Sequence, residues 1–283
     1  MQILKSELDP SVNFIEEHLA GFLESRYVRR SPDYFVCYLS SHSGCNKGCR
    51  FCHLTATKQT SFEPANTRDF LDQARRVFHH YNLHEKPAKY VHFSFMARGE
   101  VLANPTILND ADRLLGDLGR MAIDNKLYPK FCLSTIMPKG VGSLTDIFKL
   151  ITPTIYYSLY SMDEHWRKKW MPGAMPAEHA LSLLSDYQKM TKKIVKIHFP
   201  FIDHENDSLQ NIADMYDSIR RLNLLVEFNV VRYNPYSPEQ GRETQDDRFK
   251  RLVGWLEDYF PNRVKVVNRV GLDVKASCGM FVQ

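Results

Sequence analysis

Strand-length apolar runs alternate with longer segments of helical period along most of the chain, and this alternation limits the fold more than any other feature of the sequence. The runs are Tyr34–Leu39, Tyr90–Phe95, Lys130–Ser134, Ile155–Leu159, Val195–Ile202, Val226–Arg232 and Val264–Asn268. Each has the length and the β-branched or aromatic content of a strand. Between them lie Thr67–Tyr81, Pro105–Asn125, Leu144–Ile151, Ala177–Met190, Leu209–Leu222 and Asp246–Tyr259, with apolar residues at helical spacing. A β-α-β-α order predicts a parallel sheet. Six or so units fall short of the eight that close a full barrel. The expected fold is therefore α/β, a partial (β/α)6 barrel open on one side over residues 31–283. Residues 1–30 are expected as a short N-terminal extension with a helical Val12–Leu23.

With 283 residues and 43% hydrophobic content the chain can bury a substantial core. No stretch approaches 18 uninterrupted apolar residues, and Met1 to Pro10 has no basic segment followed by an apolar one. The expectation is a cytoplasmic protein without a membrane partner. The formal charge of +4 is mild, and dibasic pairs such as Arg29–Arg30, Lys168–Lys169 and Arg220–Arg221 are scattered. Charge alone therefore permits a nucleic-acid partner without demanding one.

Cysteine occurs at 37, 45, 49, 52, 132 and 278, three of the six within eight residues. Such crowding suggests metal or redox chemistry rather than a disulfide scaffold. The segment Cys45-Asn-Lys-Gly-Cys49-Arg-Phe-Cys52 has the spacing C-x3-C-x2-C. Thiolates are the ligands of iron–sulfur clusters, and three on one short loop hold three corners of a [4Fe–4S] cubane. The fourth iron then stays open to chelate the amino and carboxylate groups of S-adenosylmethionine (SAM), whose sulfonium an electron from the cluster splits to a 5′-deoxyadenosyl radical. The competing reading is a structural zinc site completed by His42 or His53 in a non-enzymatic binding module.

Motifs spread over most of the chain accompany the triad. They are Phe95-Met-Ala-Arg-Gly99-Glu100, Leu133-Ser134-Thr135, Ser158-Leu159-Tyr160, Asp203-His-Glu-Asn206-Asp207, Tyr233-Asn234-Pro235 and Gly271-Leu-Asp273-Val-Lys-Ala-Ser-Cys278-Gly279. In order and spacing, from about Glu24 to Met280, the chain resembles radical SAM enzymes and, among them, the RlmN/Cfr family of RNA adenine-methylating enzymes. The resemblance implies a radical SAM barrel and SAM contacts from Gly99, Glu100, Ser134, Ser158, Leu159, Tyr160 and Asn234. It implies a [4Fe–4S] cluster on Cys45, Cys49 and Cys52, with Cys278 as methyl carrier. Cys37 is implied as a second catalytic cysteine that releases the product by forming a disulfide with Cys278, and Glu24 as the acid/base carboxylate. The reaction implied is methylation of an adenine ring carbon in RNA, tRNA or rRNA, with two SAM per turnover and an external electron donor such as flavodoxin.

The chain departs from the family pattern at several points. Val101 replaces a proline, Tyr160 replaces a histidine, and most of the family's N-terminal RNA-binding domain has no counterpart. Cys37 stands one residue further from the triad, and an offset of one on a strand moves a side chain to the opposite face. A radical SAM enzyme acting on a nucleotide, small molecule or peptide is the alternative. Cys132, within an apolar strand, reads as a small buried hydrophobe.

Overall fold

The computed structural model describes residues 1–283. Ten strands form one sheet in sequence order: β1 (Gln2–Lys5), β2 (Val12–His18), β3 (Gly21–Ser31), β4 (Tyr34–Tyr38), β5 (Tyr90–Phe95), β6 (Tyr128–Thr135), β7 (Thr154–Tyr157), β8 (Val195–Pro200), β9 (Val226–Val231) and β10 (Val264–Val267). From β4 to β10 every neighbour is parallel, and six crossovers join those strands. The α/β class and the open barrel of six units are thus as the alternation predicts.

The crossovers carry the helices α1 (His53–Ala56), α2 (Thr67–His84), α3 (Pro105–Asp124), α4 (Leu144–Ile147), α5 (Glu164–Trp170), α6 (Ala177–Thr191), α7 (Leu209–Arg221) and α8 (Asp246–Tyr259). Local chemistry fixes their starts. Asn66 Oδ1 accepts from the backbone N–H groups of Arg68 and Asp69, while Asp69 accepts from that of Asn66, a reciprocal cap. Asn104 caps α3 with Pro105 at its first position, and its amide also donates to Ser41 O and Ala65 O, tying the helix to the loop after β4.

The first 30 residues depart from expectation. Val12–Leu23 is not a helix: it forms β2, a two-residue turn and the start of β3, with His18 opposite Gly21. Gly21 has φ +148°, and a Cβ there would lie 2.7 Å from Ser43 O, so this tight passage requires glycine. The helical reading arose because β2 is covered on both faces. Val12, Asn13, Phe14 and Ile15 are all buried, so apolar residues occupy both strand parities and imitate a helical stripe. β3 then pairs antiparallel with β4, making the extension three further strands of the barrel's own sheet. No strand ladder joins β1 to β10. Side chains close that seam instead: Asp273 accepts from the Ser6 hydroxyl and Glu7 N–H, Asp9 accepts from Gly271 N–H, and Arg30 donates to Asn268 O.

Strand parity divides the sheet into two environments. Phe35, Phe93, Leu133, Ile155, Ile197, Phe199, Phe228 and Val230 point outward against the helices, within a core cluster of 53 buried residues. Truncating one of these phenylalanines to alanine costs about 3–5 kcal/mol through lost burial and the cavity left behind. The alternate positions, among them His92, Ser94, Cys132, Tyr156, Lys196 and His198, face the interior of the barrel. Unlike a filled (β/α)8 core, that interior is an open bore of about 1200 Å³ with a mixed polar and apolar lining.

Candidate active site

The cysteine loop follows β4 at the carboxyl ends of the strands, where an open α/β sheet collects its chemistry. Backbone contacts with three neighbouring segments hold it: Cys45 N donates to Gln59 O (3.1 Å), Arg50 N to Trp170 O (2.9 Å), and the Gln240 amide to Arg50 O (2.6 Å) and Cys52 O (3.1 Å). Trp170 comes from α5, a helix absent from the sequence reading. It stacks on Trp166 at 5.4 Å and packs in one small cluster with Cys49 and Tyr160.

Cys45, Cys49 and Cys52 stand round a cavity of about 120 Å³ that is also lined by Gly99, Glu100, Ser134 and Ser158. Burial pushes the Cys45 thiol up to about 12 and the Cys52 thiol up to about 11, and burial with the neighbouring Cys45, Cys52 and Glu100 lifts Cys49 well above its ordinary value. Three such thiols need a strongly positive centre to become thiolates together. They are not drawn together as one ion requires: no three His, Cys, Asp or Glu side chains gather round a single point. The His53 ring is engaged by Nε2 with Asn234 O (3.1 Å), and the His42 ring by Nδ1 with the Ser41 hydroxyl (3.0 Å). Tetrahedral zinc wants four ligands at one point; thiols spread round a cavity wall suit a cubane, which presents its irons at separate corners.

The Gly99–Glu100 turn is sterically specified. Gly99 has φ +93°, and a Cβ there would sit 2.5 Å from both His42 Nδ1 and Ser41 Oγ. Glu100 is buried and accepts from Leu102 N–H (3.0 Å) and Ile136 N–H (3.0 Å). Burial raises its carboxyl above the usual range, partly offset by those donors. Tyr160 walls the larger bore with its ring 4.6 Å from Phe51. Leu159 belongs to the outward core and lines neither cavity, which removes its side chain from the expected SAM contacts. Asn234 also lines neither; its amide holds Cys278 O (2.9 Å) and the Ser277 hydroxyl (3.3 Å), so it fixes the segment that carries Cys278.

Cys278 lines the bore together with Cys52 of the triad, near enough to act electrostatically on its thiol. The side chain is open to the cavity while protein surrounds the cavity itself, and burial pushes the thiol up to about 11 against the pull of Arg26 and Arg30. His198 Nε2 lies 3.8 Å from its Sγ. Burial lowers His198 to about 4, so the ring is neutral at pH 7, and in the tautomer protonated at Nδ1 its Nε2 can accept a proton. The sequence reading passed over His198, although the alternation Val195-Lys196-Ile197-His198-Phe199 carried the signal: the apolar residues point out and the polar ones in.

Two expected catalytic residues are elsewhere. Cys37 belongs to the outward face of β4, fully buried in the main core, whereas its neighbours Val36 and Tyr38 line the bore. The one-residue offset has put it behind the barrel wall, and burial alone drives its thiol far above the ordinary range. It does not meet Cys278. All six cysteines are free thiols, and the bore is lined by three of them, Cys52, Cys132 and Cys278.

Glu24 is also withdrawn from both cavities. Its carboxylate accepts from Arg98 Nε (2.7 Å), Arg26 Nη2 (2.8 Å), the Asn13 amide (2.9 Å) and Val282 N–H (3.1 Å). Burial pushes the carboxyl up, but the two guanidiniums outweigh it and hold Glu24 below the usual carboxylate range. The same arginines bind the carboxyl-terminal strap: Arg98 Nη2 donates to Val282 O (2.6 Å) and Arg26 Nη2 to Met280 O (2.8 Å). A carboxylate saturated with donors is a clamp rather than a proton shuttle.

No protein-family model matches the chain. A ribosomal RNA large subunit methyltransferase Cfr from Staphylococcus aureus is 26% identical over 251 residues, covering 86% of this chain and 68% of that protein. A probable dual-specificity RNA methyltransferase RlmN from Streptococcus pyogenes is 23% identical over 290 residues, covering 99% and 77%. Among solved structures, a radical SAM methyltransferase from Sphaerobacter thermophilus superposes with a TM-score of 0.81 at 18% identity, covering 99% of this chain and 80% of that one. Over most of its length the chain is thus similar to Cfr and RlmN RNA methyltransferases, and it shares the fold of the Sphaerobacter thermophilus protein.

Proposed function

We propose that the chain is a radical SAM enzyme that methylates an adenine ring carbon in RNA by way of an S-methyl group on Cys278. The observation that carries this reading is the position of Cys278, which lines the bore with Cys52 and lies 3.8 Å from the neutral His198. The relatives' names, which are those of RNA methyltransferases, support RNA as the substrate.

Cys45, Cys49 and Cys52 would hold the [4Fe–4S] cluster, with Gly99, Glu100, Ser134 and Ser158 around the SAM that completes it. When bound, this pair supplies reductive cleavage of a sulfonium, with the electron arriving from an external donor such as flavodoxin. The remaining chemistry belongs to the chain. Cys278 takes a methyl group from one SAM by displacement as its proton passes to His198, forming a carbon–sulfur bond at the cysteine and leaving S-adenosylhomocysteine. A second SAM is consumed in activating that methyl group. The base must leave its stack to enter the bore, which favours an exposed loop or structured turn of tRNA or rRNA. Glu24 and Cys37 line neither cavity, so neither is given a part in these steps.

The test is anaerobic reconstitution with SAM, a reductant and RNA, followed by mass spectrometry of the nucleosides. A methylated adenosine is expected, absent from Cys278→Ala while SAM cleavage persists. SAM cleavage by the wild-type protein without any methylated base would overturn the methyltransferase reading and leave only a radical SAM protein.

A further inference from the structure

The bore continues well past the residues the reaction needs. It runs below Cys278 and His198 to the amino ends of β6 and β8, where Lys130, Lys193 and Lys196 line it. Along those strands, Lys196 lies two residues below His198 and Lys130 four below Ser134, about 7 and 13 Å at strand rise. The charge there is one-sided. Glu227 is the only carboxylate that lines the bore, and it pairs with Lys196. Lys130, Lys193, Lys265 and Arg30 also line it, and none has a carboxylate within ion-pairing distance. Lys193 has only the carbonyl of Thr152 as partner, and burial lowers its ammonium below the usual lysine range. Cations that converge on a cavity repel one another unless an anion sits among them. Tyr156, between Cys132 and Lys196, adds a hydroxyl to the same wall.

We propose that the lower bore is a phosphate site, so that the substrate is a nucleoside phosphate that enters with its base at Cys278 and its phosphate among Lys130, Lys193 and Lys196. Free nucleotides and the phosphorylated end of an RNA strand share this chemistry. An adenosine inside a strand offers phosphodiesters, each still an anion, and these reach the lysines only if the strand itself passes through the bore. The proposal rests on the reading of Cys278 as the reacting residue and narrows the substrate that reaches it.

Equilibrium dialysis of the reconstituted protein against AMP, adenosine and inorganic phosphate tests the site without turnover. AMP is expected to bind roughly tenfold tighter than adenosine or more, the factor that one charge-assisted hydrogen bond supplies, with the advantage shrinking as salt rises. Inorganic phosphate should compete with AMP. Lys193→Gln and the exposed Lys130→Gln should each weaken AMP several-fold and leave adenosine unchanged. Oligonucleotides ending in a 5′-phosphate or a 5′-hydroxyl separate the two sources: a preference for the phosphorylated oligonucleotide assigns the site to a strand end, and a preference confined to AMP assigns it to free nucleotides. Equal binding of AMP and adenosine, or lysine variants without effect, would overturn the phosphate site. That result together with methylation of an internal adenosine would leave the methyltransferase standing, whereas AMP selectivity without any methylated product would remove the methyltransferase and leave the site.

Discussion

The thiol of Cys278 and the imidazole of His198 face each other at the mouth of the barrel, Sγ to Nε2 3.8 Å. One comes from the strap that follows the last strand, the other from the middle of β8. A thiol raised to about 11 is a poor nucleophile at neutral pH unless a base takes its proton as it reacts. His198→Gln should therefore slow methylation of Cys278 by about 10²-fold or more, read by peptide mass spectrometry, while SAM cleavage continues. Iodoacetamide labelling of Cys278 in that variant should keep rising with pH toward about 11 instead of levelling near the ordinary thiol value of 9.0. Plateau labelling near pH 9 would contradict the burial argument.

Glu24 is a clamp in this structure, and its removal strands two buried guanidiniums. Glu24→Gln should destabilise the fold by about 3–5 kcal/mol, measured by thermal or denaturant unfolding. The pH dependence has a definite sign. The folded carboxyl titrates below its reference value of 4.5, so the stabilisation is fully present above that value and fades as pH falls through the lower folded value. The wild type should lose stability relative to Glu24→Gln only in that acid range. Were Glu24 a proton shuttle, the variant would keep its stability and lose turnover.

Cys37 sits behind the barrel wall, so product release should not depend on it. Cys37→Ala should retain full turnover with a loss of about 1 kcal/mol or so from the small void. Cys37→Ser should be the worse of the two for stability, by about 1–3 kcal/mol, because it buries a hydroxyl without a partner. Loss of turnover in a folded Cys37→Ala protein, at normal formation of methylated Cys278, would restore the thiol to the reaction.

Gly99→Ala places a Cβ against the His42 ring and the Ser41 hydroxyl at a backbone angle that favours glycine. The cost should exceed about 1 kcal/mol. The turn that carries Glu100 should shift as well, so equilibrium dialysis of the reconstituted protein should show weakened SAM binding.

The fold was legible wherever strands alternate cleanly with helices. Phe93 and Phe95 outward with His92 and Ser94 inward is the period-2 pattern of a wall between a core and a cavity. Legibility failed at β2, where both faces are covered and the parity signal vanishes. It failed again at Glu164–Trp170, a helix too short to show a period. Cys45, Cys49 and Cys52 share one short loop and Gly99 and Glu100 one strand end, which is why spacing and a motif could name them and why they line one cavity. Cys278 was found through its motif. The errors came where only the third dimension decides: the face of β4 that Cys37 takes, and the donors that saturate Glu24.

The sheet runs from β1 to β10 without closing its ladder, so each end strand has one edge with no strand partner, bridged only by the side chains of the seam. Exposed edges are templates for pairing and for aggregation. Here both are blunted in the same way. β1 and β10 are four residues long, and each carries a lysine, Lys5 and Lys265. A passing strand finds too few hydrogen bonds and a charge to desolvate, so an open barrel of this kind resists growth by strand addition.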